Sequence, residues 1–109
     1  MSALFGPSGN SRSFYDEGHK RTVEAPEWLK KRGLDVFEYS FGRGVRLKEE
    51  TAKNIGKEFS SRGLIMSVHA PFYINLASTD EAKKKNTVRY FNESITAAHW
   101  MGAKRVIFH

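Results

Sequence analysis

The sequence contains no cysteine in its 109 residues. This absence excludes disulfide bonds and thiolate metal sites, so any bound metal must use His, Asp or Glu ligands. The chain also has no window of 18 or more apolar residues, so we expect no membrane-spanning helix and no membrane partner. Its first residues lack both a basic region and a long apolar segment. We therefore expect no secretory signal and a cytoplasmic location.

The length of the chain fits one small domain with a modest core, and we expect no internal domain boundary within residues 1–109. The formal net charge is +6. This charge favours a polyanionic partner only weakly, because a lysine-rich surface without such a partner has the same composition. The three lysines 83–85 are interpreted in the same way, as a solvated face near the start of a helix.

Three segments repeat one pattern, in which an amphipathic helix is followed by a glycine and then by an apolar strand. The glycines are Gly33, Gly63 and Gly102, and the strands are predicted at residues 36–39, 64–69 and 105–109. A glycine just past a helix adopts the left-handed cap conformation without a Cβ penalty. With a short opening strand at residues 3–5, the order becomes βαβαβαβ. This order predicts a parallel sheet covered by helices.

The predicted helices each have a start signal or an apolar stripe. Pro26 fits the first turn of the first helix, with Trp28 and Leu29 buried behind it. The predicted stripes are Thr51, Ala52, Ile55 and Phe59 in the second helix and Val88, Phe91, Ile95 and Ala98 in the third. The third helix is also predicted to begin with a capping box, in which Ser78 is the N-cap and Glu81 reaches back.

The repeating pattern stops inside its fourth strand, where a loop and a helix would normally follow. An arc of four strands would leave its first and last strands as unpaired edges. We therefore expect an α/β fold of the parallel (β/α) TIM-barrel type in which only the first four strands and three helices are present. The chain would then be the amino-terminal portion of one (β/α)8 barrel domain, with the other half absent.

Two of the predicted strands end in a histidine, His69 and His109. Strands of a parallel barrel end at a common rim, so we expect both imidazoles within reach of one metal ion. Two ligands are too few for a tight site, and the remaining ligands would come from sequence absent here. Glu38 alternates with aromatic neighbours and is predicted to point into the barrel. There it would either orient a metal ligand or pair with Arg43 or Arg46.

The loops after the second and third predicted strands carry candidate binding residues. Arg43 and Arg46 follow the second strand and could bind phosphates, although their loop lacks a full dinucleotide or P-loop fingerprint. Phe72, Tyr73 and Asn75 follow the third strand. Aromatic side chains at such a rim can stack on bases or wedge beside them. The alternative for this loop is that its apolar side chains simply cover the top of the core.

The sequence resembles the amino-terminal part of the endonuclease IV family of apurinic/apyrimidinic endonucleases, which are xylose-isomerase-like TIM barrels. The matching stretches are residues 5–10, 33–39, 42–46, 68–76 and 102–109. The most specific of them is the block His69-x-x-x-Tyr73-Ile74-Asn75-Leu76. Together the stretches would cover a little under half of a barrel of roughly 250 residues or more.

The resemblance implies roles for the candidate residues. By it, His69 and His109 match two ligands of one ion in a site that holds up to three zinc ions in the complete family member. The loop residues that match the family's minor-groove contacts are Arg43, Arg46, Phe72, Tyr73 and Asn75. The bacterial enzymes have an aspartate where this chain has Ala70, and a different arrangement of aromatics at Phe72. These departures leave the lesion preference open.

The function expected of the complete protein is therefore zinc-dependent hydrolysis of the phosphodiester 5′ to abasic sites, by a monomeric DNA-repair endonuclease. The 109 residues alone are expected to be inactive, because they supply only two metal ligands. Two alternatives remain. One is a divalent-metal sugar isomerase or epimerase of the same superfamily, which would use an inward glutamate such as Glu38. The other is a non-catalytic half-barrel that assembles through its edges.

Overall fold

The computed structural model describes residues 2–109 and has a parallel sheet covered by helices on one face. In chain order, the elements are α1 Arg12–Asp16, a 3₁₀ helix Thr22–Glu24, α2 Ala25–Lys31, β1 Val36–Ser40, α3 Glu49–Ser61, β2 Ile65–His69, α4 Glu81–Met101 and β3 Val106–Ile107. The strands lie in the order β1-β2-β3, and both neighbouring pairs are parallel. This arrangement confirms the predicted α/β class and is that of a partial TIM barrel. None of the helices within residues 2–109 combines the length and the hydropathy that a membrane-spanning helix requires.

The prediction of an opening strand at residues 3–5 is wrong, because these residues form no strand. The chain instead runs beside β1 slightly later, with a single parallel bridge between Ser8 and Glu38. The flanking backbone hydrogen bonds run from Val36 to Phe5, from Glu38 to Pro7 and from Gly9 to Glu38. Pro7 has no N–H and interrupts the ladder. Gly6 permits the close approach, because a Cβ there would overlap the carbonyl oxygen of Val36.

The last strand is shorter than predicted, since only Val106–Ile107 of residues 105–109 is extended and paired. Its neighbour β2 ends at His69, and the register partner of His69 is Ile107. The last two residues therefore lie beyond the end of β2 and form no ladder with it. The described chain thus has three strands and a bridged opening segment rather than the four strands expected.

The core lies between the sheet and the helices. The strand side chains that face the helices, Phe37, Met66 and Val68, are buried. Phe37 packs against Phe59 of α3, with ring centroids 5.0 Å apart. The helices bury Trp28 and Leu29 from α2, Ala52 and Ile55 from α3, and Ala97, Ala98 and Met101 from α4. The predicted burial of Trp28 and Leu29 is confirmed, and so is the stripe predicted for the second helix, except at Thr51, which is exposed.

The helices α3 and α4 approach closely at Gly56. A Cβ at this position would lie 2.6 Å from the carbonyl oxygen of Met101, which is shorter than a normal contact. The three glycines predicted to end helices, Gly33, Gly63 and Gly102, all have φ near +70°. This confirms the predicted left-handed caps, which turn the chain from each helix toward its strand.

The start of α4 differs from the predicted capping box. The N-cap is Asp80, whose carboxylate accepts a hydrogen bond from the backbone N–H of Lys83 at 3.0 Å. Ser78 accepts from the backbone of Asp80 instead, and Glu81 forms an ion pair with Lys84. The loop therefore makes one more turn before the helix begins, and the cap moves two residues along the chain.

The buried face of α4 also differs from the predicted stripe. Val88 and Ile95 are 59% and 55% exposed, whereas Ala98 is buried. The buried face consists of Thr87, Ser94, Ala97, Ala98 and Met101. Most of these side chains are small, so α4 lies close to α3 and the sheet. The buried positions Thr87 and Ser94 each precede by one residue a position predicted to be buried. The helix is therefore rotated about its axis, and Val88 and Ile95 are exposed.

Candidate metal and nucleic-acid site

The sheet face opposite the helices carries the polar side chains of the strands. Side chains alternate along a strand, so Glu38 of β1 and His69 of β2 lie opposite the buried core residues. The register pairs Glu38 with Ser67 and Ser40 with His69. His69 is therefore at the carboxyl end of the sheet, and Glu38 lies one inward-facing position below it.

The two histidines predicted to end strands lie side by side, His69 as the last residue of β2 and His109 two residues past the end of β3. The ring centroids of His69 and His109 are 5.1 Å apart, and the rings are tilted by 34°. Nδ1 of His69 lies 2.8 Å from the carbonyl oxygen of Ala70. A carbonyl only accepts hydrogen bonds, so this contact places the ring hydrogen on Nδ1 and leaves the lone pair of Nε2 free in the neutral ring. Metal-binding histidines are oriented by the same kind of contact.

Among the described residues, His69 and His109 are the two candidate metal ligands that lie together. Across residues 2–109, no group of three or more His, Cys, Asp or Glu side chains could hold a metal ion. Imidazole nitrogen suits zinc, and a zinc site needs at least three protein ligands. The pair His69 and His109 therefore fits part of a zinc site, and zinc binding stays a prediction.

Glu38 is held by two hydroxyl groups. Ser8 donates to one carboxylate oxygen at 2.8 Å, and Ser67 donates to the other at 3.4 Å. In the part of the chain that the structure describes, Glu38 forms no ion pair with Arg43 or Arg46, and its carboxylate is bound by the two hydroxyls instead. The sequence analysis missed the two serines. Ser67 had a detectable signal, since it lies two residues before His69 in a predicted strand and alternation places both side chains on one face.

The loop after β1, which carries Arg43 and Arg46, is hydrogen-bonded to the end of β2 and to the loop that follows it. The backbone N–H of Phe41 donates to the carbonyl of His69 at 3.1 Å, and that of Phe72 donates to the carbonyl of Gly42 at 2.9 Å. Arg43 and Arg46 are both exposed. Within residues 2–109, neither arginine forms an ion pair. Their charges are therefore open to a phosphate.

The aromatic residues after β2 point outward. Phe72 is 68% exposed and Tyr73 is 54% exposed, whereas Ile74 is buried and covers the core. The ring of Phe72 lies 6.3 Å from that of His69, centroid to centroid. The loop therefore separates the two roles weighed from the sequence: Ile74 packs on the core, and the two aromatics are free to contact a partner.

Asn75 shapes this loop and fastens it to α4. Its side-chain oxygen accepts a hydrogen bond from the backbone of Ala77 at 3.0 Å. Its backbone N–H donates to the hydroxyl of Thr87 at 3.1 Å, and the same hydroxyl donates to its carbonyl at 3.4 Å. Thr87 was missed by the sequence analysis, which assigned the buried face of α4 to other residues. Its hydroxyl is the contact that positions the aromatic loop on the helix.

The largest electrostatic perturbations lie away from the rim. Backbone hydrogen bonds from Arg21 and Lys20, and a contact with His19, lower the pKa of Glu24 to about 2. Burial raises the pKa of Tyr39, a residue of β1 whose ring lies 5.2 Å from that of Phe41, centroid to centroid. Glu24 belongs to the 3₁₀ helix, and Tyr39 lies on the sheet face opposite His69.

Comparison with known proteins identifies the architecture. Residues 26–109 match the sequence profile of the xylose isomerase-like TIM barrel family. An uncharacterized protein of Methanocaldococcus jannaschii is 35% identical over 106 residues, which are 97% of this chain and 36% of that relative. The chain therefore spans about a third of the length of the curated relative that it matches.

Proposed function

Because the chain belongs to the xylose isomerase-like TIM barrel family, which includes endonuclease IV and sugar isomerases, we propose that it is the amino-terminal part of a DNA-repair endonuclease. The proposed reaction is zinc-dependent hydrolysis of the phosphodiester 5′ to an abasic site. The observation that carries the proposal is the pairing of His69 with His109 at the same rim as Arg43 and Phe72.

The metal part of the proposal assigns His69 and His109 to one ion, held through nitrogen atoms at the strand ends. Zinc would supply a water of lowered pKa and would neutralise charge on the phosphate. The contact from Nδ1 of His69 to the carbonyl of Ala70 leaves Nε2 as the nitrogen that would bind the ion. The further ligands, and any second or third ion, belong to the complete protein.

The DNA part of the proposal rests on the two rim loops. Arg43 and Arg46 make no ion pair within residues 2–109, so they can bind phosphates at little cost in lost contacts. Phe72 would fill the gap in the helix where a base is missing, because an aromatic ring replaces base stacking, and Tyr73 would contact the strand beside it. Asn75 acts indirectly in this proposal, by holding the loop that presents both rings.

A sugar isomerase is the second candidate, and Glu38 favours it. The carboxylate lies with Ser67 beside a recess of about 280 Å³ on the inner sheet face. A carboxylate flanked by hydroxyls suits a small polyol better than a duplex. The net charge of +6 and the two unpaired arginines favour DNA, and we therefore place the endonuclease first.

The proposal is tested by incision of an end-labelled duplex that contains one abasic site. The complete protein that carries this sequence should cut 5′ to the site in the presence of zinc, leaving a 3′-hydroxyl. His69→Ala and His109→Ala should abolish incision, whereas His99→Ala, an exposed histidine on α4, should retain it. Equal activity in all three variants, or aldose–ketose conversion without incision, would contradict the proposal.

A further inference from the structure

A groove of about 560 Å³ lies beside the loop that carries Phe72 and Tyr73, and neither His69 nor His109 lines it. It is lined by Phe72, Tyr73 and Asn75 from the loop and by Lys83, Asn86 and Tyr90 from α4. The three α4 residues recur at intervals of three and four, so they share one face of the helix. The hydrogen bonds between Thr87 and Asn75 join the two walls of the groove.

The groove contains an aromatic surface that is both exposed and supported. The rings of Tyr73 and Tyr90 lie 5.9 Å apart, centroid to centroid, and are tilted by 35°. The guanidinium carbon of Arg89 lies 5.0 Å from the centroid of Tyr90. Tyr73 is nevertheless 54% exposed. A ring held from one side with its other side open is suited to stacking on a flat ligand.

The charge at the groove favours an anionic ligand. Lys83 is exposed and forms no ion pair within residues 2–109, whereas its neighbour Lys84 is paired with Glu81. The nearby carboxylate of Asp80 is engaged as the N-cap of α4 through the backbone N–H of Lys83. The side-chain amide of Asn86 adds both donors and an acceptor. One wall therefore offers an aromatic platform, and the other offers a free cation and an amide.

From this juxtaposition we infer that the groove binds one unpaired nucleotide of a nucleic-acid strand. The base stacks on Tyr73 with Tyr90 behind it, Asn86 faces the base edge, and Lys83 meets the phosphate. The groove begins at Phe72, whose ring is 6.3 Å from that of His69, so the strand would continue from the metal rim onto α4. The choice of nucleic acid as the ligand rests on the proposed function.

The test is the binding of a fluorescein-labelled single-stranded oligothymidylate to the full chain, measured by anisotropy. Chelator is present throughout, so that the metal site contributes nothing. Tyr90→Ala should weaken binding at least about fivefold, and Tyr90→Phe should bind like the parent because it keeps the ring.

Lys83→Gln should reduce the slope of log affinity against log salt by about 0.7. The matched control is Lys57→Gln, which removes an exposed lysine of α3 that makes no ion pair with any of residues 2–109. It should leave the affinity and the salt slope nearly unchanged.

Two results with the variants would overturn the inference. One is parent-like binding by a folded Tyr90→Ala, and the other is an equal effect of Lys57→Gln and Lys83→Gln. If circular dichroism shows that Tyr90→Ala is unfolded, Tyr73→Ala at the exposed ring takes its place with the same expected loss. Absence of single-strand binding alongside a preference for abasic duplex overturns the groove assignment alone. Single-strand binding without that preference overturns the proposed function alone.

Discussion

His69 donates its Nδ1 hydrogen to the carbonyl oxygen of Ala70 across 2.8 Å, and this contact selects one tautomer of the ring. The remaining nitrogen, Nε2, is thereby available as a ligand beside the ring of His109. The acceptor is a backbone carbonyl, so the orienting contact does not depend on which side chain follows the histidine. The alanine at position 70 is therefore compatible with a metal-binding role for His69.

Zinc binding by the complete protein that carries this sequence should depend on both His69 and His109, because residues 2–109 supply only these two ligands. We expect His69→Ala and His109→Ala each to lower zinc affinity by at least about tenfold, because each removes a direct ligand. Isothermal titration at fixed pH measures this effect. His99→Ala should bind zinc like the parent, since His99 lies in the last turn of α4, before β3, whereas His109 lies after β3. Equal losses in all three variants would mean that zinc binds to surface histidines in general.

Removal of the Thr87 hydroxyl should destabilise the fold and loosen the aromatic loop. Thr87→Val keeps the side-chain shape but leaves the backbone N–H and carbonyl of Asn75 without their partner. We expect a loss of about 1 kcal/mol or more in the free energy of unfolding, measured in urea. Thr96→Val is the matched control, because its hydroxyl bonds only to the carbonyl of Asn92 on an exposed face. It should change stability by less than about 0.5 kcal/mol.

Gly56→Ala should destabilise the protein although alanine is the better helix former. The gain in helix propensity is up to about 1 kcal/mol, while forced overpacking costs about 1–3 kcal/mol. The new Cβ would lie 2.6 Å from the carbonyl of Met101, so the packing cost should dominate. Thermal unfolding compares this variant with Asn54→Ala, an exposed change on the same helix. A raised melting temperature for Gly56→Ala would show that α3 and α4 are further apart than described.

Glu24 should make the stability depend on pH in acid. Its pKa is lowered from 4.5 to about 2 by hydrogen bonds from the backbone of Arg21 and Lys20 and from His19. A lowered pKa in the folded state means that the stabilisation is complete above about pH 4.5 and is lost as the pH falls toward about 2. The difference in urea midpoint between the parent and Glu24→Gln should therefore shrink over this range. Glu27→Gln, at an exposed pair with Lys31, should show a small difference at every pH.

The parallel order of the sheet could be predicted from the sequence because its signals are local. Gly33, Gly63 and Gly102 end helices at φ near +70°, and each is followed by a strand that the apolar pattern also marks. The meeting of His69 and His109 follows from the same order, since neighbouring parallel strands end at one edge. No structural detail beyond the repeat was needed for that part of the site.

The buried face of α4 could not be predicted, because helical periodicity fits two adjacent stripes. Val88 and Ile95 form the more apolar stripe, yet the helix buries Thr87 and Ser94. The choice depends on how closely α4 approaches its neighbours, which Gly56 on another helix permits. The partners of Glu38 were missed for a related reason, since Ser8 comes from a segment whose register the sequence does not reveal.

The most direct test of the proposed function is duplex binding by this chain in the presence of zinc. A duplex with one tetrahydrofuran abasic analogue is compared with the intact duplex over a salt series. We expect tighter binding of the analogue at every salt concentration, and we expect Phe72→Ala to reduce that preference because its exposed ring would fill the gap. Equal affinity for the two duplexes at every salt concentration would contradict the assignment to abasic-site repair.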